Sequence, residues 1–276
     1  MLVSLIPTMY KDPVAMRLLL EAMRKQTYTN FEVIVAEDDN SQEIKDVIAE
    51  FTDIKVKHVF HPDNGRMKTV AQNKAICKAE GEYIVLIDGD CIPYTTFIEY
   101  HVMMAKKGVA MSGRRANLNA VTSAKLRDGT LQSDDLEKAY WFYYLKNMFS
   151  SEEDHVEQGI SLNPEGLLYK LFLKNRVRNT QLLGSHIACF KEDMQNINGF
   201  NEDYHGYMGE DTDLNWRFKA SGMEVKSCKN TALLFHLYHK RVEVTVSMED
   251  GDEMVIMKKE QEMNRWRCVQ GLDQHC

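Results

Sequence analysis

Apolar positions in the first 112 residues fall into short runs, and amphipathic stretches alternate with them. Leu2 to Ile6 reads as a strand, and Asp12 to Lys25 as an amphipathic helix with Pro13 in its first turn. Phe31 to Ala36 is a second strand. The polar cluster Asp38-Asp39-Asn40-Ser41 then turns the chain and can cap a helix over Gln42 to Phe51. Ile54 to Phe60 alternates as a third strand, His61 to Gly65 is a loop, and Met67 to Ala79 is a helix. A strand from Glu82 to Ile87 follows, then a helix around Phe97 to Lys106 and a strand at Val109 to Ser112. This order predicts an α/β fold with a mostly parallel sheet and right-handed crossovers.

After Gly113 the alternation stops. Residues 113–182 read as a largely helical insertion containing Tyr140-Trp141-Phe142-Tyr143-Tyr144, the acidic patch Glu152-Glu153-Asp154 and the basic stretch Leu171 to Arg178. The aromatic stretch is expected to be core, with Trp141 stacking on a sugar face as the alternative. Strand character returns at His186 to Phe190, a turn follows at Asn198-Gly199, and Leu214 to Ser221 is helical and stops at Gly222. Val242 to Met248 is expected as a strand. Met254 to Arg267 is expected as an amphipathic tail helix that packs on the body of the protein, with bilayer docking as the alternative. The chain therefore divides into 1–112, the insertion 113–182, 183–240 and a tail 241–276.

Composition narrows the classes. A net charge of −7 argues against a general nucleic-acid surface. Arg114-Arg115, Lys174 to Arg178 and Lys258-Lys259 are local basic clusters, read as solvated surface with phosphate or lipid headgroups as the alternative. Six cysteines without C-x-x-C or zinc spacing suit free, buried thiols in a reducing compartment. The start of the chain lacks a signal peptide's pattern, and no apolar run approaches the ~20 residues of a spanning helix. A cytoplasmic protein with at most peripheral membrane contact is expected.

The chemistry gathers where strands end. Asp88-Gly89-Asp90 closes the apolar run from Glu82 to Ile87, which delivers two carboxylates to the carboxyl edge of the sheet, where open α/β sheets bind ligands. Such carboxylates suit a divalent cation at a diphosphate, and the glycine permits close backbone approach. Glu210-Asp211 stands at the start of the later helix, where capping is the competing account.

Taken in order, Ile6-Pro7-Thr8-Met9-Tyr10, Asp38 to Ser41, Asn73 with Ala79 to Tyr83, and Asp88 to Asp90 resemble the nucleotide half of a GT-A glycosyltransferase of inverting family 2. Gly199 to Glu202, Gly206 to Asp211, Arg217 and Gly222 resemble the acceptor half of beta-1,4-galactosyltransferases and chondroitin-type polymerases. The resemblance implies a GT-A fold with 1–112 as the nucleotide-sugar half and 183–240 as the acceptor half. It also implies a UDP-sugar donor carrying a hexose or N-acetylhexosamine, and a glycan or glycolipid acceptor in surface polysaccharide synthesis. Pro7, Thr8, Tyr10, Asp39, Arg66, Lys68, Asn73, Asp88, Gly89 and Asp90 would meet the nucleotide sugar. Tyr10 would stack on uracil, and Asp39 would accept its N–H. Asp90, His236 and Asp88 would hold Mn²⁺ or Mg²⁺, and a histidine ligand tilts the choice toward Mn²⁺. Asp211 would be the general base, with Glu210 beside it. Whether His236 or His239 is the histidine ligand stays open, and a place in or near the core is the alternative for His236 and above all for His239. Two departures stand out: Gln72 replaces the family's arginine, and Tyr207-Met208-Gly209 replaces Trp-Gly-Gly. A sugar nucleotidyltransferase or a silent glycan-binding module remain open at this point.

Overall fold

In a computed structural model of the chain, the central strands are the apolar runs just described. The structure describes residues 1–63, 65–147, 156–173, 180–204, 209–240 and 252–276. The order begins β1 (Val3–Met9), α1 (Pro13–Arg24), β2 (Phe31–Glu37), α2 (Gln42–Ala49), β3 (Val56–Phe60), α3 (Lys68–Lys78) and β4 (Tyr83–Asp88). Then come β5 (Cys91–Pro93), α4 (Phe97–Met104), β6 (Val109–Ser112), β7 (Arg115–Asn117), α5 (Ala120–Arg127), α6 (Ser133–Lys138), α7 (Tyr140–Asn147) and α8 (Leu167–Phe172). The rest is β8 (His186–Phe190), α9 (Lys191–Asn196), α10 (Glu210–Ala220), β9 (Glu224–Ser227), β10 (Leu234–His236) and α11 (Asp252–Glu262).

Among the described residues one sheet has the order β3-β2-β1-β4-β8-β6-β9. Its pairs are parallel except those of β8, which runs antiparallel to both β4 and β6. Residues from the later part of the chain thus complete the sheet begun by the first 112. Side chains alternate between two covered faces, which is why the strands read as continuous apolar runs. Val3, Leu5, Val33, Val35 and Val85 pack with Leu19 and Leu20 of α1 and Ile44 of α2. Ile6, Ile34, Ile84 and Leu86 pack with Ala71, Ala75 and Ile76 of α3, whose small side chains admit the helix closely.

Local signals account for the helix starts. Asp12 caps α1 by accepting from the Ala15 N–H at 3.0 Å, and Ser41 caps α2 through Ile44. Capping α2 therefore does not engage Asp38 or Asp39.

Several expectations need correction. A second, three-stranded sheet of order β5-β10-β7 was not foreseen, because its three-residue strands are too short for any period to register. The insertion is largely helical but contributes β7 to this sheet. Within Tyr140–Tyr144 only Tyr140 is buried; Trp141 and Phe142 are 61% and 79% exposed. Nor are all cysteines free: Cys77 and Cys276 form a disulfide, while Cys91, Cys189, Cys228 and Cys268 are free and buried. A pair 199 positions apart leaves no spacing signature. The tail helix covers Asp252–Glu262, earlier and shorter than expected. Glu152-Glu153-Asp154, Lys174 to Arg178, Gly206 to Met208 and Val242 to Met248 lie outside the described residues. No helix among the described residues is long and apolar enough to cross a membrane.

One core feature makes stability depend on pH. His101 of α4 and His186 of β8 are fully buried with their Nε2 atoms 2.8 Å apart. Burial holds His101 down at about 3, and burial, then His101, Arg114 and Arg115, hold His186 well below the usual range. Below about pH 6.5 the unfolded chain takes up protons that the native pair refuses. Stability is therefore full above about pH 6.5 and falls on acidification, by about 1.4 kcal/mol per pH unit for each histidine. Urea unfolding at pH 7.5, 6.5 and 5.5 should show the fall below 6.5, flattened in His101→Leu. An equal slope in that variant would exclude the pair as the cause.

Candidate active site

The parallel register of β1 and β4 sets Thr8 opposite Asp88, so both strands deliver their carboxyl ends to one edge. Gly89 lets the chain turn there: a Cβ on it would lie 2.6 Å from the Thr8 carbonyl oxygen and 2.0 Å from Met9 Sδ. The Gly89 N–H donates to that same carbonyl at 2.8 Å. The turn presents Asp88 and Asp90 to a cleft of about 640 Å³ that Thr8, Tyr10, Lys68 and Arg127 also line.

The two carboxylates have different company. Asp88 accepts from Lys68 Nζ at 2.8 Å and from Arg115 Nη1 at 3.3 Å. Asp90 Oδ2 lies 3.2 Å from His236 Nε2 and 3.4 Å from His239 Nε2. The small sheet creates this second group, since β10 pairs His236 with Cys91 of β5 on one side and Asn117 of β7 on the other. His236 Nδ1 lies 3.1 Å from Asn117 Oδ1. An amide oxygen only accepts, so Nδ1 carries the proton and Nε2 in the neutral ring is a bare lone pair. That buried Nε2 has no hydrogen-bond partner and faces a carboxylate oxygen. Two lone pairs so close call for a cation between them, either a proton, which makes the ring an imidazolium donating to Asp90, or a metal ion. Among the described residues Asp90, His236 and His239 therefore form one group whose ligand atoms could hold a metal ion. Burial opposes ionisation of Asp90, yet His236, Arg115 and His239 hold its carboxyl below the usual range.

Lys68, at the first position of α3, joins this edge to the next wall. Burial favours its neutral form, but Asp88 and Glu210 outweigh that and raise it above its ordinary value. Glu210 and Asp211 occupy the first turn of α10, entered through Gly209 in the left-handed region at φ 100°. Its N-cap, Gly209, has no side chain to cap the helix, and among the described residues no cap bond from Glu210 or Asp211 is seen. Asp211 Oδ2 accepts from the Gly184 N–H at 3.1 Å, and Glu210 lies 3.7 Å from Arg66. A Cβ on Gly184 would be 3.7 Å from both Asp211 Oδ2 and Lys68 Nζ, so Asp211 and the Lys68–Asp88 pair share one corner. Behind them a buried Asp213–Arg217 pair at 2.7 Å, with Arg217 donating to the Ile197 and Gly199 carbonyls, pins α10 in place.

At the other end of the cleft Tyr10 is 54% exposed, and its hydroxyl donates to Asp63 at 3.2 Å. Lys11 donates to both groups and lies 3.8 Å from Asp39. Asp38 lines the cleft and accepts from the Met67 N–H. Burial raises the Asp38 carboxyl above its ordinary value.

Three predicted contacts do not line the cleft: Asp39, whose neighbour Asp38 lines it instead, Pro7 and Asn73. Pro7 is buried inside β1, where its missing N–H coincides with the gap in pairing to β2 at Ile6 and Pro7. Asn73 is fully buried; it donates to the Phe200 carbonyl and to Glu202, and accepts from the Phe200 N–H. It is a clasp between α3 and the 200–202 loop. Two further expectations change. Asp88 sits with Lys68 and Arg115 instead of the histidines, and half-exposed His239 faces Asp90 instead of the core. Sequence reasoning gave no site role to Asp63, Asn117 and Arg127, read Asp38 only as part of the turn-and-cap cluster and family motif, and treated Arg115 as solvated surface. Gln72, in the place of the family's arginine, donates to Thr8 Oγ1 at 3.1 Å.

Comparison with known proteins agrees with this architecture. The sequence model described as glycosyl transferase family 2 matches residues 4–170, and one described as N-terminal domain of galactosyltransferase matches residues 171–240. Chondroitin synthase of Escherichia coli is 22% identical over 239 residues, covering 84% of this chain and 34% of that protein. The first curated relatives are matched over only 34–48% of their own length. Among solved structures, the 1–349 fragment of S. aureus TarS in complex with UDP superposes with a TM-score of 0.61 at 15% identity, over 100% of this chain and 68% of that one. The Pyrobaculum calidifontis mannosyltransferase PcManGT, in complex with GDP-Man and Mn²⁺, gives 0.54 at 16% identity, over 87% and 57%. At such identities the likeness shows the fold, which is GT-A.

Proposed function

The chain belongs to glycosyl transferase family 2, and on that premise we propose an inverting, divalent-metal-dependent transfer of a hexose or N-acetylhexosamine from a UDP-sugar to a glycan or glycolipid. The carrying observation is the convergence of Asp211 with the Asp88–Lys68 pair beside Gly184, although 123 positions separate the two aspartates. The UDP and the UDP-glucose in the descriptions of TarS and of a relative from Escherichia coli support the choice of donor class.

In this reading the nucleotide lies along the cleft, with its base toward Tyr10 and Asp39. The diphosphate lies toward Lys68, Arg66 and Arg115, whose charges favour the dianion. A Mn²⁺ or Mg²⁺ ion held by Asp90, His236 and His239 would add Lewis-acid stabilisation of the leaving diphosphate, worth several kcal/mol. Asp211 takes the proton of the acceptor hydroxyl as its oxygen attacks the anomeric carbon. The bond from that carbon to the diphosphate oxygen breaks, and its electron pair leaves with UDP. Attack from the face opposite the leaving group inverts the carbon. The Gly184 N–H holds Asp211 Oδ2, and Oδ1, met by the Thr212 hydroxyl at a long 3.5 Å, keeps the capacity to take the proton.

The test is hydrolysis of a UDP-sugar panel, with and without Mn²⁺. Slow Mn²⁺-dependent release of UDP is expected. Release of pyrophosphate from a nucleoside triphosphate, or no turnover on any UDP-sugar, would overturn the proposal.

A further inference from the structure

A second cavity, of about 290 Å³, lies behind the small sheet. Strand alternation separates it from the donor cleft. On β10, His236 turns toward Asp90, whereas Phe235 turns the other way and meets the rings of Tyr94 and Tyr140 at 4.5 and 5.8 Å. Tyr94 and Tyr140 are also walls of the cavity, so the sheet stands between the two sites.

The walls combine aromatic surface with paired charge. Trp141 lines the cavity, is well exposed, and has its ring braced edge-on by Tyr144 at 5.8 Å. Gly159 lets Tyr140 close the floor, since a Cβ there would sit 2.1 Å from the tyrosine ring. The Tyr94 hydroxyl donates to the Gly159 carbonyl at 2.9 Å and holds that segment against the floor. Glu137 accepts from the Thr95 N–H at 2.8 Å and hydroxyl at 2.9 Å, one on each carboxylate oxygen. Each of those oxygens keeps further acceptor capacity. Asp134 is paired with Lys25 and Lys138, and Lys138 also reaches Asp135, so the carboxylates on and beside the wall are only partly balanced and a residual negative charge remains.

A wall of aromatic faces beside fixed acceptors and a donor, with a residual negative charge that disfavours anions, selects an uncharged ligand with an apolar C–H face and many hydroxyls. A pyranose ring has that chemistry: its face packs on the indole while its hydroxyls meet Glu137, Asp134 and Lys138. We propose that this cavity is a second carbohydrate site, which holds a neutral pyranose unit of a glycan apart from the donor cleft. The inference goes beyond the transferase reading, because binding here needs neither metal nor nucleotide.

Chitotetraose and cellotetraose are the probes, titrated calorimetrically into the full chain without UDP or Mn²⁺. Binding of at least one is expected, with affinity reduced at least about tenfold in Trp141→Ala by loss of the stacking surface. Trp141→Phe, which keeps an aromatic ring, should retain part of the affinity, and thermal midpoints establish that both variants are folded. Asp211→Asn and saturating UDP should leave oligosaccharide affinity unchanged, so loss of transferase activity and loss of this site are read separately. The inference is overturned if neither probe binds, if Trp141→Ala binds as well as the parent, or if UDP displaces the probe.

Discussion

Asp211→Asn should lower turnover at least about 100-fold while UDP affinity stays within a factor of two or so, the lower bound for loss of a general base. The substitution is close to isosteric. The amide oxygen can still accept from the Gly184 N–H, so the corner formed with Lys68 should keep its shape. What disappears is a basic oxygen able to take the acceptor's proton. The buried Asp213–Arg217 pair orients α10 independently of residue 211, which makes a purely structural explanation for lost turnover testable by thermal melting. Initial-rate assays with donor saturating, alongside calorimetry with UDP, check both halves. Near-normal turnover would remove Asp211 from the mechanism.

The second large effect concerns Asp90. Asp90→Ala should bring UDP affinity in Mn²⁺ down to the value measured without metal, a loss of at least about 100-fold. Removing outer-shell partners of a metal ligand already costs 10–100-fold, and Asp90 supplies the only carboxylate among the three grouped donors. The Asp90 backbone carbonyl still accepts from the Leu237 N–H, so the small sheet should survive the substitution. Asp88 provides the contrast. Its carboxylate is taken by Lys68 and Arg115, so Asp88→Asn should weaken UDP by a similar factor with and without Mn²⁺. Calorimetry showing unchanged affinity for Asp90→Ala in Mn²⁺ would sink the metal assignment.

These two predictions differ in how far the sequence led to them. Asp88 and Asp90 are legible because an apolar run ending in Asp-Gly-Asp has few meanings at the end of a buried strand. That Asp90 goes with two histidines and Asp88 with two cations is invisible in the sequence. The division follows from the direction each side chain takes after the Gly89 turn, and from a register that sets His236 between Cys91 and Asn117. His239 shows the same limit, since its reading as a core residue rested on neighbours in sequence, and Asp90 lies about 150 positions away. Asn73 fails in the opposite sense: a family motif marked the residue, and the fold uses it as a clasp to Phe200.

By itself the sequence determined the sequence-local part of this protein. Burial on both sheet faces demands continuous apolar strands, helices start at Asp12 and Ser41, and carboxylates stand at the ends of β4 and the start of α10. Periodicity and capping act over a few residues, so they leave marks a reader of the chain can find. Only the tertiary structure decided which distant groups meet: the Asp90–His236–His239 cluster, the corner shared by Lys68 and Asp211, and the Cys77–Cys276 bond. Those contacts depend on sheet order and strand register, which arise from packing of the whole core and have no local signature.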